Sequence, residues 1–292
     1  KIAVEAITTT AEAVSEAIAV VNMAEVKEQL KQTQIRQKDS LSKLRNISCT
    51  VPVMEEKTES FPVKSAPTVT IDAKTCSVFV RGWDKPEVKY SVRQIGRFGS
   101  DHKIPEIVTE KSDTAVKIKI SGDEDENSDV SGSGDTIRVE VFVPKKSNLR
   151  ILTNREIRLE NVSGEIDLTG EDEAINLRDV DGKLSLKATD AMIRIIGFKG
   201  EFTSNTADAT ISLEGAFDKI TAKAIDGTVI LTLPENADAS FVSNTEIETS
   251  GLSLIEEGNN RWRMGKGGAK YNFNFADGKV FVRNAGNLIA GY

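Results

Sequence analysis

From Ile157 a large apolar residue recurs at every ninth position: Ile157, Ile166, Ile175, Leu184, Ile193, Phe202, Ile211, Ile220 and Val229. The chain is 39% hydrophobic, so a run of this length arises by chance about 2 times in 10,000. Two positions further on lie Leu159, Leu168, Leu177, Leu186, Ile195, Ser204, Leu213, Ala222 and Leu231, of which only Ser204 and Ala222 are not large aliphatics. Between the two series stand Arg158, Asp167, Asn176, Ser185, Arg194, Thr203, Ser212, Thr221 and Ile230, all polar except the last. Side chains alternate across a strand, so each unit is a short strand with one dry and one wet face, followed by a turn. A longer period lies over the first. Val162, Val180, Phe198 and Ala216 recur every eighteen residues, as do Gly164, Gly182 and Gly200.

A nine-residue unit cannot bury its apolar pair alone and must stack on copies of itself. The expected fold is therefore mainly β, a parallel β-solenoid with coils of eighteen residues, each made of two inequivalent strands of nine. Stacking would set Ile175, Ile193, Ile211 and Val229 in one buried column about 4.8 Å apart. Ile166, Leu184, Phe202 and Ile220 would form the facing column. An antiparallel meander stays open at this point, since five to seven residues also suffice to join neighbouring antiparallel strands.

Outside the repeat, period-two alternation predicts half-buried strands at Val69 and Ile71, at Val78 and Val80, and at Val88, Tyr90 and Val92. The pattern continues through Val116, Ile118 and Ile120, and through Ile137, Val139, Val141 and Val143. After Pro234 the register loosens, and the large aromatics Trp262, Tyr271, Phe273, Phe275 and Phe281 read as a cap over the last strand edges. Residues 1–46 read as an α-helical segment. Ile7, Ala11, Val14, Ile18 and Val21 form an apolar stripe suited to packing, to a stalk or to oligomerisation. Residues 47–67, with Pro52, Pro62 and Pro67, read as a linker, and residues 68–286 as the β domain.

A formal net charge of −7 and a pI near 5.1 argue against nucleic acid, which requires clustered Lys and Arg. No apolar run reaches the ~18 residues of a spanning helix. The chain opens on Lys1 rather than Met, which leaves room upstream for a signal or anchor. Cys49 and Cys76 are too far apart in sequence for a CxxC motif; they are either one bridge or two core thiols. The lone histidine, His102, sits in a polar loop-like stretch and has no GxSxG partner. Asp123, Asp125, Asn127 and Asp129 alternate like the start of a calcium loop, but Ser128 and Gly134 stand where such a loop needs Gly and Glu. Glu171, Asp172 and Glu173 fall at a coil corner, where charge keeps a turn in water. Gly265–Gly268 reads as a tight turn rather than a phosphate loop. The outward column Asp167, Ser185, Thr203 and Thr221, with Thr169, Lys187, Asn205 and Lys223 beside it, reads as a solvated sheet that could also meet a glycan or a partner. No catalytic residue, cofactor or metal ligand is expected.

The stretch Val78-Phe-Val-Arg-Gly-Trp-Asp-Lys-Pro-Glu-Val88 resembles the opening strands of the bacterial putative-adhesin family, a domain of unknown function. So do Val162-Ser-Gly-Glu-Ile, Val180-Asp-Gly-Lys-Leu and the run from Arg261-Trp-Arg-Met-Gly-Lys-Gly-Gly to Ala276-Asp-Gly-Lys-Val280. The resemblance spans about residues 67–285. It implies a single-stranded right-handed β-solenoid, exported or displayed on the cell surface, and carries over no binding residues. The expected function is a non-enzymatic, extracytoplasmic, adhesin-like binding or structural module with a protein or surface-glycan partner. The alternative is a regulatory outer domain of a membrane protein complex, such as one fused to a sensor-type membrane peptidase, with the N-terminal helix meeting a membrane partner. Homo-oligomerisation through that helix and a solenoid enzyme complete the readings.

Overall fold

Gly164 pairs with Gly182, and Gly182 with Gly200, in parallel and eighteen residues apart each time. The computed structural model describes residues 53–96, 105–121, 136–171 and 174–286, all within the unit Pro52–Tyr292. They are mainly β, with almost no helix. The strands before the repeat are β1 (Val53–Pro62), β2 (Thr68–Asp72), β3 (Ser77–Trp83), β4 (Glu87–Gly96), β5 (Glu106–Lys111), β6 (Ala115–Ser121), β7 (Thr136–Pro144) and β8 (Asn148–Leu152). Those of the repeat are β9 (Ile157–Glu160), β10 (Ser163–Glu171), β11 (Ala174–Arg178), β12 (Asp181–Thr189), β13 (Met192–Ala207), β14 (Ala209–Ala224) and β15 (Gly227–Leu233). After them come β16 (Ala239–Ser243), β17 (Ile247–Ser250), β18 (Ile255–Gly258), β19 (Arg261–Met264), β20 (Ala269–Phe275) and β21 (Lys279–Asn284).

Two parallel ladders carry the structure. One runs β6, β2, β8, β10, β12, the second half of β13, the second half of β14, β20 and β16. The other runs β7, β3, β9, β11, the first half of β13, the first half of β14, β15, β21 and β17. Ile175, Ile193, Ile211 and Val229 are successive partners in the second ladder. Ile166, Leu184, Phe202 and Ile220 are successive partners in the first. All eight are buried, each contributing roughly 1.5–3 kcal/mol by removal from water.

The strands before the repeat join the same core, with Val69, Ile71, Val78, Val80, Val116, Ile118, Val139 and Val141 all buried. Corners are turned by residues in the left-handed region. Asn161, Asp179 and Gly197 (φ 57°, 53° and 70°) recur at eighteen-residue intervals, as do Asp190 and Asp208 (both 50°). Asn and Asp tolerate that conformation better than other residues with a Cβ.

Chain order and spatial order part at both ends. Strands β2 and β3 lie between β6/β7 and β8/β9. Strands β20 and β21 lie between β14/β15 and β16/β17. The aromatics Tyr271, Phe273 and Phe275 therefore fill an internal rung and are buried, rather than forming the outermost cap. Three of the four ladder ends are covered by antiparallel strands: β5 on β6, and β4 on β7 with β1 on β4; at the far end β19 pairs with β16 and β18 with β19, while β17 pairs only with β21 among the described residues.

The segment 47–67 is corrected in part. Residues Val53–Pro62 form β1, in register with β4 from Val53↔Gly96 to Pro62↔Glu87. Its charges are those of an edge strand, where they discourage further pairing, and Pro62 stands at the strand's end, where a missing N–H is tolerated. The unit of two nine-residue strands also merges in β13 and β14, which run sixteen residues each through an irregularity at Ile196/Phe198. The helical segment 1–46 lies outside the described residues.

Candidate partner-binding face

Parallel in-register pairing makes the polar series separate into two faces. Alternate members go to alternate ladders, so Asp167, Ser185, Thr203 and Thr221 share one column, as expected. The other members, Arg158, Asn176, Arg194, Ser212 and Ile230, form a column on the second ladder. That second face has a chemistry of its own, and sequence reading did not single it out. Phe79 extends it as the partner of Arg158, with Glu140 of β7 beyond it. A second row beside it runs Arg81, Glu160, Arg178 and Ile196.

Phe79 is flanked by two guanidinium groups: Arg138 Cζ lies 4.5 Å from the ring centroid and Arg158 Cζ 5.2 Å. A ring attracts a cation through its quadrupole, and a stacked guanidinium keeps its N–H edge free to donate. Trp83 and Phe142 pack together with centroids 5.1 Å apart, and the Lys85 ammonium sits 4.8 Å from the Trp83 ring. A cavity of about 190 Å³ is lined by Phe79, Arg81, Arg138, Phe142, Arg158 and Glu160 among others. A neighbouring hollow of about 270 Å³ is lined by Arg158, Asn176, Arg178, Arg194 and Ile196 among others. The two share Arg158 and Glu160, so they adjoin on the face formed by β7, β3, β9, β11 and β13.

The charges here are unevenly neutralised. Arg81 donates to Glu160 at 2.8 and 3.1 Å, Arg158 to Glu156 at 3.2 Å, and Arg93 lies 3.6 Å from Glu140. Arg138, Arg178 and Arg194 have no carboxylate within 4.0 Å among the described residues. An acidic chain thus presents surplus positive charge on one sheet face, beside half-buried Phe79, Phe142 and Ile196.

Other candidates fall elsewhere. His102, the 123–129 acidic loop and Cys49 lie outside the described residues. Cys76 is a buried free thiol, and burial pushes its pKa up, so the nucleophilic thiolate is disfavoured. Glu171 is exposed at the end of β10, while Asp172 and Glu173 lie outside the described residues. Gly265 and Gly267 hold positive φ (59° and 78°) in the turn after β19, and the Asp238 carboxylate accepts a 2.7 Å hydrogen bond from the Lys266 amide there. No group of three His, Cys, Asp or Glu side chains among the described residues is placed to hold a metal ion. No helix among them is long and apolar enough to cross a membrane.

No family model matches the chain, and no curated protein matches it. Among solved structures it is similar to a "putative cell adhesion protein" from Clostridium sporogenes, with 15% identity, a TM-score of 0.40, 80% of this chain covered and 100% of the other. It is similar to a "putative adhesin" from Bacteroides fragilis, with 10% identity, a TM-score of 0.42 and coverage of 79% and 97%. A "putative lipid binding protein" from Parabacteroides distasonis gives 11% identity, a TM-score of 0.32 and coverage of 79% and 97%. Likeness at this level leaves function to be argued from the chain's own surfaces.

Proposed function

We propose that the chain is a right-handed parallel β-solenoid acting as a non-enzymatic, extracytoplasmic, adhesin-like binding module, and that its partner docks on the face formed by β7, β3, β9, β11 and β13. One observation carries the reading: Arg138, Arg178 and Arg194 lack carboxylate partners among the described residues and share one sheet face with half-buried Phe79, which Arg138 overlies. Arginine and aromatic side chains are the groups enriched where protein surfaces meet partners. Guanidinium groups recognise by donating and stay protonated, so they supply grip rather than proton transfer. The two carboxylates on this face, Glu140 and Glu160, each lie beside an arginine, at 3.6 Å from Arg93 and 2.8 Å from Arg81.

The test is an array of surface glycans and envelope proteins probed with the wild-type chain and with the double variant R138A/R194A. Wild type should be retained on at least one class of target, and the variant should lose at least roughly tenfold in affinity, as expected for loss of charge-assisted contacts. Equal retention of both proteins would overturn the assignment of this face.

A further inference from the structure

The arginines on this face are not scattered. Successive rungs β3, β9, β11 and β13 each contribute one: Arg81, Arg158, Arg178 and Arg194. They alternate between the two rows. Arg158 and Arg194 stand in one row with Asn176 between them, and Arg81 and Arg178 stand in the other with Glu160 between them. The result is a zigzag with one guanidinium per rung. Same-row arginines are two rungs apart, about 9.6 Å, and the rows are two residues apart along the strands, about 6.6 Å.

We infer that this zigzag binds a linear acidic polysaccharide lying along the stacking direction, with its carboxylate or sulfate groups falling alternately to either side. The inference rests on the proposed binding role of this face and names its ligand class. The spacing selects among polyanions. An extended acidic peptide repeats a same-side residue every ~6.6–6.8 Å, so it falls about 3 Å short at the first repeat and twice that at the second. Single-strand phosphates in a duplex advance only ~3.4 Å each and run out of register sooner. A pyranose ring with its glycosidic oxygen is close in length to one rung. A flat two-fold chain of such rings sets successive acid groups on opposite sides, matching the alternation of Arg158, Arg178 and Arg194.

Each guanidinium can offer a carboxylate or sulfate two parallel N–H donors. Arg158 lies over the Phe79 ring before any ligand arrives, and that contact lowers the ordering cost. Between the arginines, Asn176 offers hydroxyl groups both a donor and an acceptor, and half-buried Ile196 meets the apolar C–H face of a ring. The existing pairs of Arg81 and Arg158 are to Glu160 and Glu156, and the arginine side chains are 61% and 50% exposed, so both exchange readily for ligand oxygens.

The experiment measures binding of the full chain to three probes: hexagalacturonate, a sulfated carrageenan hexasaccharide and hexaglutamate, with carboxyl-reduced hexagalacturonate as control. Binding of either acidic glycan, weakening as salt rises, and little binding of hexaglutamate or the reduced glycan, is the expected result. R158Q/R194Q should lower glycan affinity roughly tenfold or more, and R158K/R194K should not restore it, because lysine cannot pair bidentately. K187Q/K223Q, with the same charge change on the opposite ladder, should leave it unchanged. Amide exchange protection on β9, β11 and β13 provides a readout in the wild-type protein that does not depend on any variant folding. Failure of both acidic glycans to bind, equal binding of hexaglutamate, or an equal loss in K187Q/K223Q overturns the inference. If R138A/R194A still loses an array partner when no acidic glycan binds, the inference fails and the reading of the face as a docking surface survives.

Discussion

Ser204 interrupts an aliphatic column, between Leu186 on one rung and Ala222 on the next. It is 1% exposed, and its hydroxyl has no hydrogen-bond partner among the described residues. A buried unpaired hydroxyl costs more than it returns, so Ser204→Ala should raise stability by about 1 kcal/mol, read as a higher urea midpoint at unchanged slope. A lower midpoint would show that the hydroxyl has a partner. Tyr271 is the opposite case. Its hydroxyl donates to the Phe217 carbonyl at 3.1 Å, and burial, then repulsion from Asp218, pushes its pKa up to about 12. An unfolded tyrosine titrates near ~10. Between those values the unfolded chain has released a proton that the native chain still holds, so stability falls as pH rises. The contribution is fully present below about pH 10 and lost through about pH 12, on the order of 2 kcal/mol. Tyr271→Phe should cost about 1 kcal/mol at neutral pH and flatten that alkaline fall. An unchanged alkaline slope would place the titration elsewhere.

Between neighbouring strands a tight constraint falls on the glycines of the eighteen-residue series. Gly182 has φ +115°, and a Cβ built there would lie 2.4 Å from the Gly164 carbonyl oxygen of the neighbouring strand β10. Gly182→Ala should therefore cost about 2–4 kcal/mol, whereas alanine at an exposed strand position such as Lys199 should change little; equal thermal shifts for the two would contradict the close approach. Inside the stack, Phe202 is fully buried and stands 6.3 Å from Phe217, so Phe202→Ala should cost about 3–5 kcal/mol in a denaturant titration. Both positions are legible in sequence, because an eighteen-residue register repeats a local environment and so repeats the residue that fits it. The arginine face was legible only in part. Arg158, Asn176 and Arg194 stood in the polar series, but read together with Asp167 and Ser185 they looked mixed; taking every second member separates the ladders. Phe79 and Arg81 could not be found that way, because β3 reaches β9 across 79 residues and no period announces it.

For the molecule as a whole, rungs are placed by matching apolar side chains and not by position in the chain. Val69 sits between Val116 and Leu149, and Tyr271 sits between Ile220 and Phe241. Inserting a late rung inside an earlier one buries the edge that the repeat would otherwise leave open, and at three of the four ladder ends an antiparallel strand, such as the charged β1, stands outermost and discourages end-to-end growth. The aromatic run after Pro234 gave away its apolar character but not its slot, since hydrophobicity specifies burial and not order. The register on which the arginine zigzag depends is the same register that fixes this order, and spin-label distances measure it directly. With Cys49 and Cys76 replaced by serine and a label at Asp167, second labels at Thr203, Asn272 and Val242 lie two, four and five rungs away along one column. The account predicts backbone separations of about 10, 19 and 24 Å, with Asn272 nearer than Val242 although it lies later in the chain. Val242 nearer than Asn272, or distances that do not grow with rung number, would contradict it.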